Sequence, residues 1–482
     1  MNIDACDKCL IIDLTHGGVK IACEIAKKEI FKEIYTYDIY STLKKEDLNL
    51  LNLYNIKNIP NLENLKGNLL IVSPIHLPLT NEEIKSKINC KTNNYKFLNH
   101  HQIVALLLDD FKEKNILKIE VTGVKGKTSS VFMLNEIFKC KNTLLLSSLG
   151  AYLFKDDKEF LLKKNISITP ASILETITLA DKITNPKCEI VPQKKVEEAY
   201  EVAIFESSLG VSGIGDVGLL TNIVENYKIA KNKKDAAEAK SQIFNCKLVA
   251  IEKETLEKYY PNESKNKINS FSLNDKNANL FLKNVKYGFN KTKIEIEYFN
   301  LKTIDNKEIS GSIELSTFAL GEHHLQNVLG VITCALSLNV NPNMIVNGLS
   351  NFKGIKGRTS IKKLKDSYII EEVNPGLNVE SIKKSIEMLD KFKDCSIIIG
   401  GKYGVTCEEI DEKKLAIYLD DLIKNSEYDI ILTDELGKGI LDKMNKKLDF
   451  ISNASDAINT VLDRKKNILF IYRSNYSELS KR

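Results

Sequence analysis

The sequence predicts an α/β protein of three consecutive units, a central phosphate-loop domain over residues 107–352 flanked by smaller α/β domains at 1–106 and 353–482. Three observations predict it. At 482 residues the chain is longer than one core comfortably serves. Short apolar runs alternate with helical stretches along its length, the pattern of open, mostly parallel sheets. Residues 118–132 read KIEVTGVKGKTSSVF, a buried strand running through two glycines, a lysine and a hydroxyl residue into a helix.

The first unit opens with CLIIDLTHGG, a strand ending in a glycine turn, followed by the helical VKIACEIAKKEI. A second strand reads NLLIVSPIH at 68–76, and HHQIVALLLDDFK at 100–112 predicts the helix leading into the next unit. In the middle unit NTLLLSS (142–148), EVAIFESS (201–208), DVGLLTNI (216–223) and KLVAIEK (247–253) are almost continuously apolar, as strands covered on both faces are. KIEIEYF (293–299) and GSIELSTF (311–318) alternate instead, which predicts a smaller antiparallel sheet packed on one side. The third unit carries the strands SYIIEE, CSIIIGG, YDIILTD and NILFIYR, separated by helical stretches, which gives another open α/β sheet.

Bulk properties exclude several classes. An apolar fraction of 43% and a charged fraction of 28% are those of an ordinary globular protein. The formal charge of +5 comes from 69 basic and 64 acidic residues without clustering beyond short runs such as KNKK at 231–234, so no nucleic-acid partner is expected. No apolar run has the length of a membrane span, and MNIDACDKCLIIDL lacks the basic start and long apolar stretch of a signal peptide, so a cytoplasmic protein with no membrane partner is expected. Of ten cysteines only Cys6 and Cys9 form a C-x-x-C, without the second pair that a zinc ribbon needs. They read as reduced thiols.

In the loop Thr122-Gly123-Val124-Lys125-Gly126-Lys127-Thr128-Ser129 the glycines let backbone N–H groups approach phosphate oxygens, and the helix starting near Lys127 turns its positive end to the same anion. Lys127 has the reach for the β- and γ-phosphates and the Thr128 hydroxyl for Mg²⁺. Two residues separate the glycines, where the common phosphate loop has four.

This compact loop resembles that of the Mur ligase family, ATP-dependent enzymes that activate a carboxylate as an acyl phosphate. Four further blocks resemble the family in the right order. In AIFESSLGVSGIGDVGLLTNI (203–223) the resemblance makes Glu206 a magnesium ligand, with Thr221 and Asn222 closing the site. In DAAEAKSQIF (235–244) it makes Lys240 the lysine whose carbamate helps to hold a second metal. LGEHHLQNVLGVITCAL (320–336) supplies His323 and Asn327 near the adenine and phosphates, and FKGIKGRTSI (352–361) aims Arg358 at the γ-phosphate. IIEEVNPGLN (369–378) places Glu372 nearest to the ribose-binding carboxylate. The resemblance thus implies a three-domain architecture, a central P-loop domain flanked by two smaller Rossmann-like α/β domains. It also implies ATP and Mg²⁺ as cofactors and catalysis by Lys127, Glu206, Lys240, His323 and Arg358.

The chain departs from the family at two places. The family's Asp-His pair after Thr-Asn, whose histidine is a metal ligand, reads Glu225-Asn226-Tyr227 here, and the family's C-terminal Asp-Tyr-Ala-His-x-Pro-like block reads IIEEVNPGLN. The block by which several peptide ligases hold an amino acid is also missing from the third unit. Four of the six histidines, His16, His76, His100 and His101, fall in the first unit. His16 and His76, at the strand ends DLTHGG and SPIHLP, are the candidate substrate-binding pair. With EEVNPGLN, these stretches resemble an archaeal branch of the family that closes the last carbocycle of a nickel tetrapyrrole in methanogens, one propionate side chain being activated and attacked by a ring carbon. The resemblance implies a multiply carboxylated small-molecule substrate and a monomer or homodimer. Two other readings stand beside it: a peptide ligase of archaeal pseudomurein, which an arginine–aspartate clamp in the third unit would favour, and an ATP-dependent carrier that has lost ligase activity.

Overall fold

The computed structural model describes residues 6–63, 65–89, 94–184, 199–355, 359–373, 377–387, 389, 395–404, 410–426 and 428–474. The chain divides into two compact units. One comprises Met1–Lys283, Ile296–Ile313 and Gln326–Gly348, the other Asn284–Glu295, Glu314–Leu325 and Leu349–Arg482.

The first unit begins with a five-stranded sheet formed by β1 (Lys8–Ile12), β2 (Glu33–Tyr37), β3 (Lys57–Asn58), β4 (Leu69–Ser73) and β5 (Tyr95–Asn99). Its order is β3-β2-β1-β4-β5 and every pairing is parallel. The central strands Cys9–Ile12 and Leu69–Val72 are wholly buried, because helices cover both faces. The helix predicted over 100–112 forms as two pieces, His100–Leu107 and Asp109–Lys112. Asn99 caps the first reciprocally with Gln102: each side chain accepts the other's backbone N–H at 2.9 Å.

The next sheet contains β6 (Leu117–Thr122), β7 (Thr143–Ser147), β8 (Gly150–Lys155), β9 (Lys158–Lys163), β10 (Val202–Glu206), β11 (Val217–Leu220), the small separate hairpin of β12 (Lys228–Ile229) and β13 (Lys234–Asp235) lying outside it, then β14 (Leu248–Glu252), β15 (Ile268–Ser272), β16 (Leu280–Lys286), β17 (Thr292–Lys302) and β18 (Glu308–Thr317). Eleven strands run in the order β18-β17-β16-β15-β14-β11-β6-β10-β7-β8-β9. The apolar strands predicted from the sequence are its parallel centre. KIEIEYF and GSIELSTF do not form a separate smaller sheet. As β17 and β18 they extend this one, because β15 presents an open edge on which β16 pairs, Phe271 against Leu280. Their alternation records one covered and one wet face. The hairpin β8–β9 was not foreseen; it turns through Asp156 and Asp157, both at positive φ (51° and 58°), as a two-residue hairpin turn requires.

The second unit carries a six-stranded sheet of β19 (Thr359–Leu364), β20 (Ser367–Val373), β21 (Cys395–Gly401), β22 (Asp429–Thr433), β23 (Asp449–Ile451) and β24 (Asn467–Arg473). The order is β19-β20-β24-β21-β22-β23, antiparallel only between β19 and β20. Among the described residues no helix is long and apolar enough to cross a membrane.

Candidate active site

The phosphate loop leaves β6 at Thr122 and enters the helix Lys127–Ile137 through Gly126, which stands at φ +84°. A Cβ on Gly126 would lie 2.0 Å from Asn327 Oδ1, and one on Gly123 (φ +144°) 1.9 Å from Thr221 Oγ1, so both positions demand glycine twice over. Thr221 and Asn222, at the end of β11, lock the loop from beside it. Thr221 Oγ1 donates to Lys125 O at 2.6 Å, Asn222 Nδ2 donates to the same oxygen at 3.1 Å, and Asn222 accepts the N–H groups of Val124 (3.0 Å, on O) and Lys125 (3.1 Å, on Oδ1). Lys127 Nζ folds back on Gly123 O at 3.1 Å and Val124 O at 3.3 Å. The loop is held in shape before any anion arrives.

Beneath it, Thr128 Oγ1 donates to Glu206 Oε1 at 3.0 Å, and Ser148 N–H donates to Glu206 Oε2 at 2.9 Å. Glu206 ends β10, the strand beside β6, and is buried. A hydroxyl and a carboxylate meeting at the mouth of a phosphate loop are hard oxygen donors of the kind Mg²⁺ takes. Lys240, the last residue of the short helix Ala236–Lys240, is fully buried and donates to Ser208 O at 2.6 Å. Burial, with Lys127 nearby, pushes its ammonium down to about 7. Near neutral pH a substantial share of this lysine is therefore the neutral amine, the form that adds CO₂. Among the described residues, three buried hydroxyls around the loop, Thr122 Oγ1, Ser130 Oγ and Ser207 Oγ, have no hydrogen-bond partner and can donate to an anion, and Asn327 Oδ1 is an unpartnered acceptor, so the residues present fit a polyanionic ligand with its cation.

Glu225-Asn226-Tyr227, in place of the family's metal-ligating histidine, has a structural part. Asn226 Oδ1 accepts Ala237 N–H at 2.8 Å and Tyr227 O accepts Ala236 N–H at 3.0 Å, so this stretch anchors the start of the helix that carries Lys240. Sequence reasoning did not find Ser148 or Ser208, which hold Glu206 and Lys240 through backbone atoms and so leave no side-chain signal. Asn327 lies on the helix Glu322–Ser337; His323 is exposed in its first turn, with its ring 3.9 Å from that of buried His324. Arg358 lies outside the described residues. Glu372 sits opposite Thr359 across β19 and β20, and burial raises its carboxyl to about 7 although Thr359 donates to it.

The N-terminal histidines, scattered in sequence, come together. His16 follows β1, His76 follows β4, and their rings stand edge to face at 4.3 Å. Between them lies Asp13, which sequence reasoning passed over: its Oδ2 is 2.7 Å from His16 Nδ1 and 3.9 Å from His76 Nε2. His100 and His101 are buried behind them and pushed down to about 3 by that burial; His100 is in electrostatic reach of Asp13, and His101 of His76 and Lys240.

Two family descriptions match the chain: "Mur ligase middle domain" over residues 121–335 and "Coenzyme F430 synthetase CfbE, C-terminal domain" over residues 361–475. It is similar to the coenzyme F(430) synthetase of Methanocaldococcus jannaschii, with 30% identity over 453 residues that cover 90% of this chain and 93% of the relative. The coenzyme F(430) synthetase of Methanosarcina acetivorans is 27% identical over 439 residues, covering 86% and 87%. Among solved structures, UDP-N-acetylmuramoyl-L-alanyl-D-glutamate–2,6-diaminopimelate ligase superposes with a TM-score of 0.58 at 13% identity, covering 92% of this chain and 87% of that one. MurF from Acinetobacter baumannii gives 0.54 at 15% identity, covering 84% and 88%. These two likenesses concern the fold.

Proposed function

The chain belongs to the coenzyme F(430) synthetase family of Mur ligases, and from that premise we propose that it closes the carbocyclic ring of a nickel tetrapyrrole. It is an ATP-dependent ligase. In the proposed reaction a propionate of the seco-acid precursor takes the γ-phosphoryl group of ATP, and a ring carbon attacks the acyl phosphate to give a ketone, ADP and phosphate. The observation that carries this reading is the reach of the likeness over 90% of the chain, through the N- and C-terminal regions where substrate choice is expected, and not over the ATP-binding core alone.

Phosphorylation is what makes the carboxylate an electrophile, because oxide is a poor leaving group and the carboxylate charge repels nucleophiles. The chain's part is to position and to neutralise. Lys127 and the backbone N–H groups of residues 123–128 would hold the phosphates, with Asn327, His323, Glu372 and Arg358 as further nucleotide contacts. Thr128, Glu206 and carbamylated Lys240 would hold Mg²⁺, which supplies charge neutralisation to the transferring phosphoryl group. His16 and His76 would receive the substrate, a small molecule, at the crevice of the first sheet.

For the peptide-ligase alternative an arginine–aspartate clamp was the expected mark. Arg464 and Asp429 do pair, at 3.3 Å, but at the start of β22, the edge opposite to the one where α/β sheets take ligands, and Arg464 is 42% exposed. That is a surface ion pair.

The test is anaerobic: protein, Mg-ATP and the seco-acid precursor, with ADP release and product mass followed together. Loss of one water from the tetrapyrrole, abolished in K127A, is the expected result. ADP release only on adding an amino acid and a nucleotide-linked peptide would overturn it.

A further inference from the structure

The carboxyl ends of β1 and β4 hold groups that acyl-phosphate formation does not use. The order β3-β2-β1-β4-β5 reverses direction between β1 and β4, so the crevice there is the sheet's switch point, where open α/β sheets bind ligands. Asp13 is fully buried at φ 72°, and its Oδ1 accepts Thr15 N–H at 2.8 Å. Its Oδ2 takes His16 Nδ1 at 2.7 Å. A carboxylate in that place keeps the proton on Nδ1 and leaves Nε2 as the basic nitrogen. The Asp13 side chain is sealed (0%) while that of His16 is 41% exposed, so the imidazole is the member of the pair that a ligand reaches.

A chain of contacts links the pair to the candidate phosphoryl-transfer site. Gly17, next to His16, packs so closely on Ala171 that a Cβ would lie 2.4 Å from its methyl carbon. Just before Ala171, Ile168 O accepts Ser208 N–H at 3.1 Å, and Ser208 O is the acceptor for Lys240 Nζ. One short stretch of backbone therefore joins the His16 turn to the buried lysine.

The chemistry calls for such a group. An amine attacks an acyl phosphate with its own lone pair, whereas a carbon nucleophile has no free pair until its proton leaves. A ligase that forms a C–C bond needs a base at its acceptor crevice. We propose that His16 is that base and that Asp13 is the residue that positions it; the proposal rests on the ring-closing reading above. His16 Nε2 takes the proton from the ring carbon, and the C–H electron pair becomes the new C–C bond to the acyl carbon. The acyl–oxygen bond breaks with its pair leaving on phosphate, and the proton passes from His16 to solvent. No oxidant or reductant is needed. Asp13, His16 and His76 also place potential metal-ligating atoms within 4.8 Å of one another. Ligands about 2.0–2.2 Å from a shared ion stand about 3 Å or more apart, however, and the 2.7 Å between Asp13 and His16 is a hydrogen-bond distance.

The test uses the full chain with Mg-ATP and the seco-acid precursor, and reads two steps: acyl phosphate trapped by hydroxylamine as the hydroxamate, and ring-closed product by mass. At saturating precursor, H16Q is expected to lower the ratio of ring-closed product to trapped hydroxamate about 100-fold or more. D13N, checked for folding by its melting curve, is expected to show the same split. The acid limb of the ring-closure pH profile should vanish in H16Q. Asp13, His76, His100, His101 and Tyr40, the titratable groups in electrostatic reach of one another at the crevice, all remain in that variant, so its loss assigns the limb to His16. Parallel loss of both steps in H16Q, or no change in either, would overturn the proposal. So would ring closure that stops on chelation and returns with added Zn²⁺ or Ni²⁺, which would make the cluster a metal site. Wild-type protein that yields no hydroxamate from the tetrapyrrole would instead bring down the ring-closing reading itself.

Discussion

Two turns of the first unit are built alike and filled differently. β1 runs through Asp-Leu-Thr-His-Gly into the helix Gly18–Lys27, and β6 runs through Gly-Val-Lys-Gly into the helix Lys127–Ile137. Each helix begins after a glycine in the left-handed region, Gly17 at φ 89° and Gly126 at φ 84°. The second turn offers backbone N–H groups and two lysines, Lys125 and Lys127, the equipment for an anion. The first presents Asp13 and His16 side chains, the equipment for a proton. In the proposed reading the same strand–glycine–helix geometry serves charge neutralisation in one sheet and acid–base work in the other, and the residues inside the turn decide which.

The sharpest way to break that comparison is at the anion turn. K127A is expected to lower ADP formation about 10³-fold, since a positioned cation at the transferring phosphoryl group is lost, while binding of the tetrapyrrole, followed by its absorbance, stays as in wild type. ADP formation that survives in K127A would mean that the loop is not the phosphate site.

Next in size is a change that should cripple both turns together. Glu120, fully buried on β6, accepts Ser212 N–H (2.8 Å), Ser212 Oγ (2.5 Å), Gly213 N–H (2.8 Å) and Gly215 N–H (3.1 Å). It fixes the segment after β10 that also contains Ser208. E120A strands four donors and is expected to cost about 3 kcal/mol in urea unfolding. An unchanged midpoint would show that the segment holds without its carboxylate.

A smaller effect separates the turns by pH. Buried His100 titrates near 3, so between about 3 and the ordinary histidine value of 6.5 the unfolded chain binds a proton that the native state refuses. Stability contributed by neutral His100 is therefore complete above 6.5 and is lost as pH falls through that window. Protection against hydrogen exchange, taken relative to the intrinsic rate at each pH, is expected to fall from pH 7 to pH 5 in the peptides around β1 and β4 more than in the phosphate loop, and H100Q should weaken the difference. Equal loss of protection in both regions would sink this.

That the parts of the candidate phosphate site come together was legible in the sequence because each is contiguous: a loop, a Glu at a strand end, a Thr-Asn pair, each a short block with a fixed spacing. The parallel strands were legible for the same reason, being unbroken apolar runs. The histidine crevice was half legible. Strand ends pointed to His16 and His76, but Asp13 looked like the last residue of an ordinary strand, and only the pairing of β1 with β4 brings His76 to it. The continuation of the large sheet through β17 and β18 was hidden too, since alternation reports how many faces are covered and not which sheet a strand joins.

The smallest predicted effect concerns Glu225-Asn226-Tyr227, where the anion site departs from its family. Asn226 and Tyr227 hold the helix of Lys240 through Ala237 N–H and Ala236 N–H, with Asp235 Oδ1 taking Glu238 N–H at 3.0 Å. If the stretch positions Lys240 in place of ligating a metal, then N226A should cost about 1 kcal/mol of stability and raise the Mg²⁺ concentration needed for half-maximal ADP release by a few fold. Y227H should lower that concentration, because it restores an imidazole at the position where the family has one. A Y227H protein with unchanged Mg²⁺ dependence would show that the site is complete with Thr128, Glu206 and Lys240. An N226A protein with unchanged Mg²⁺ dependence would show that the lysine needs no anchoring from this side.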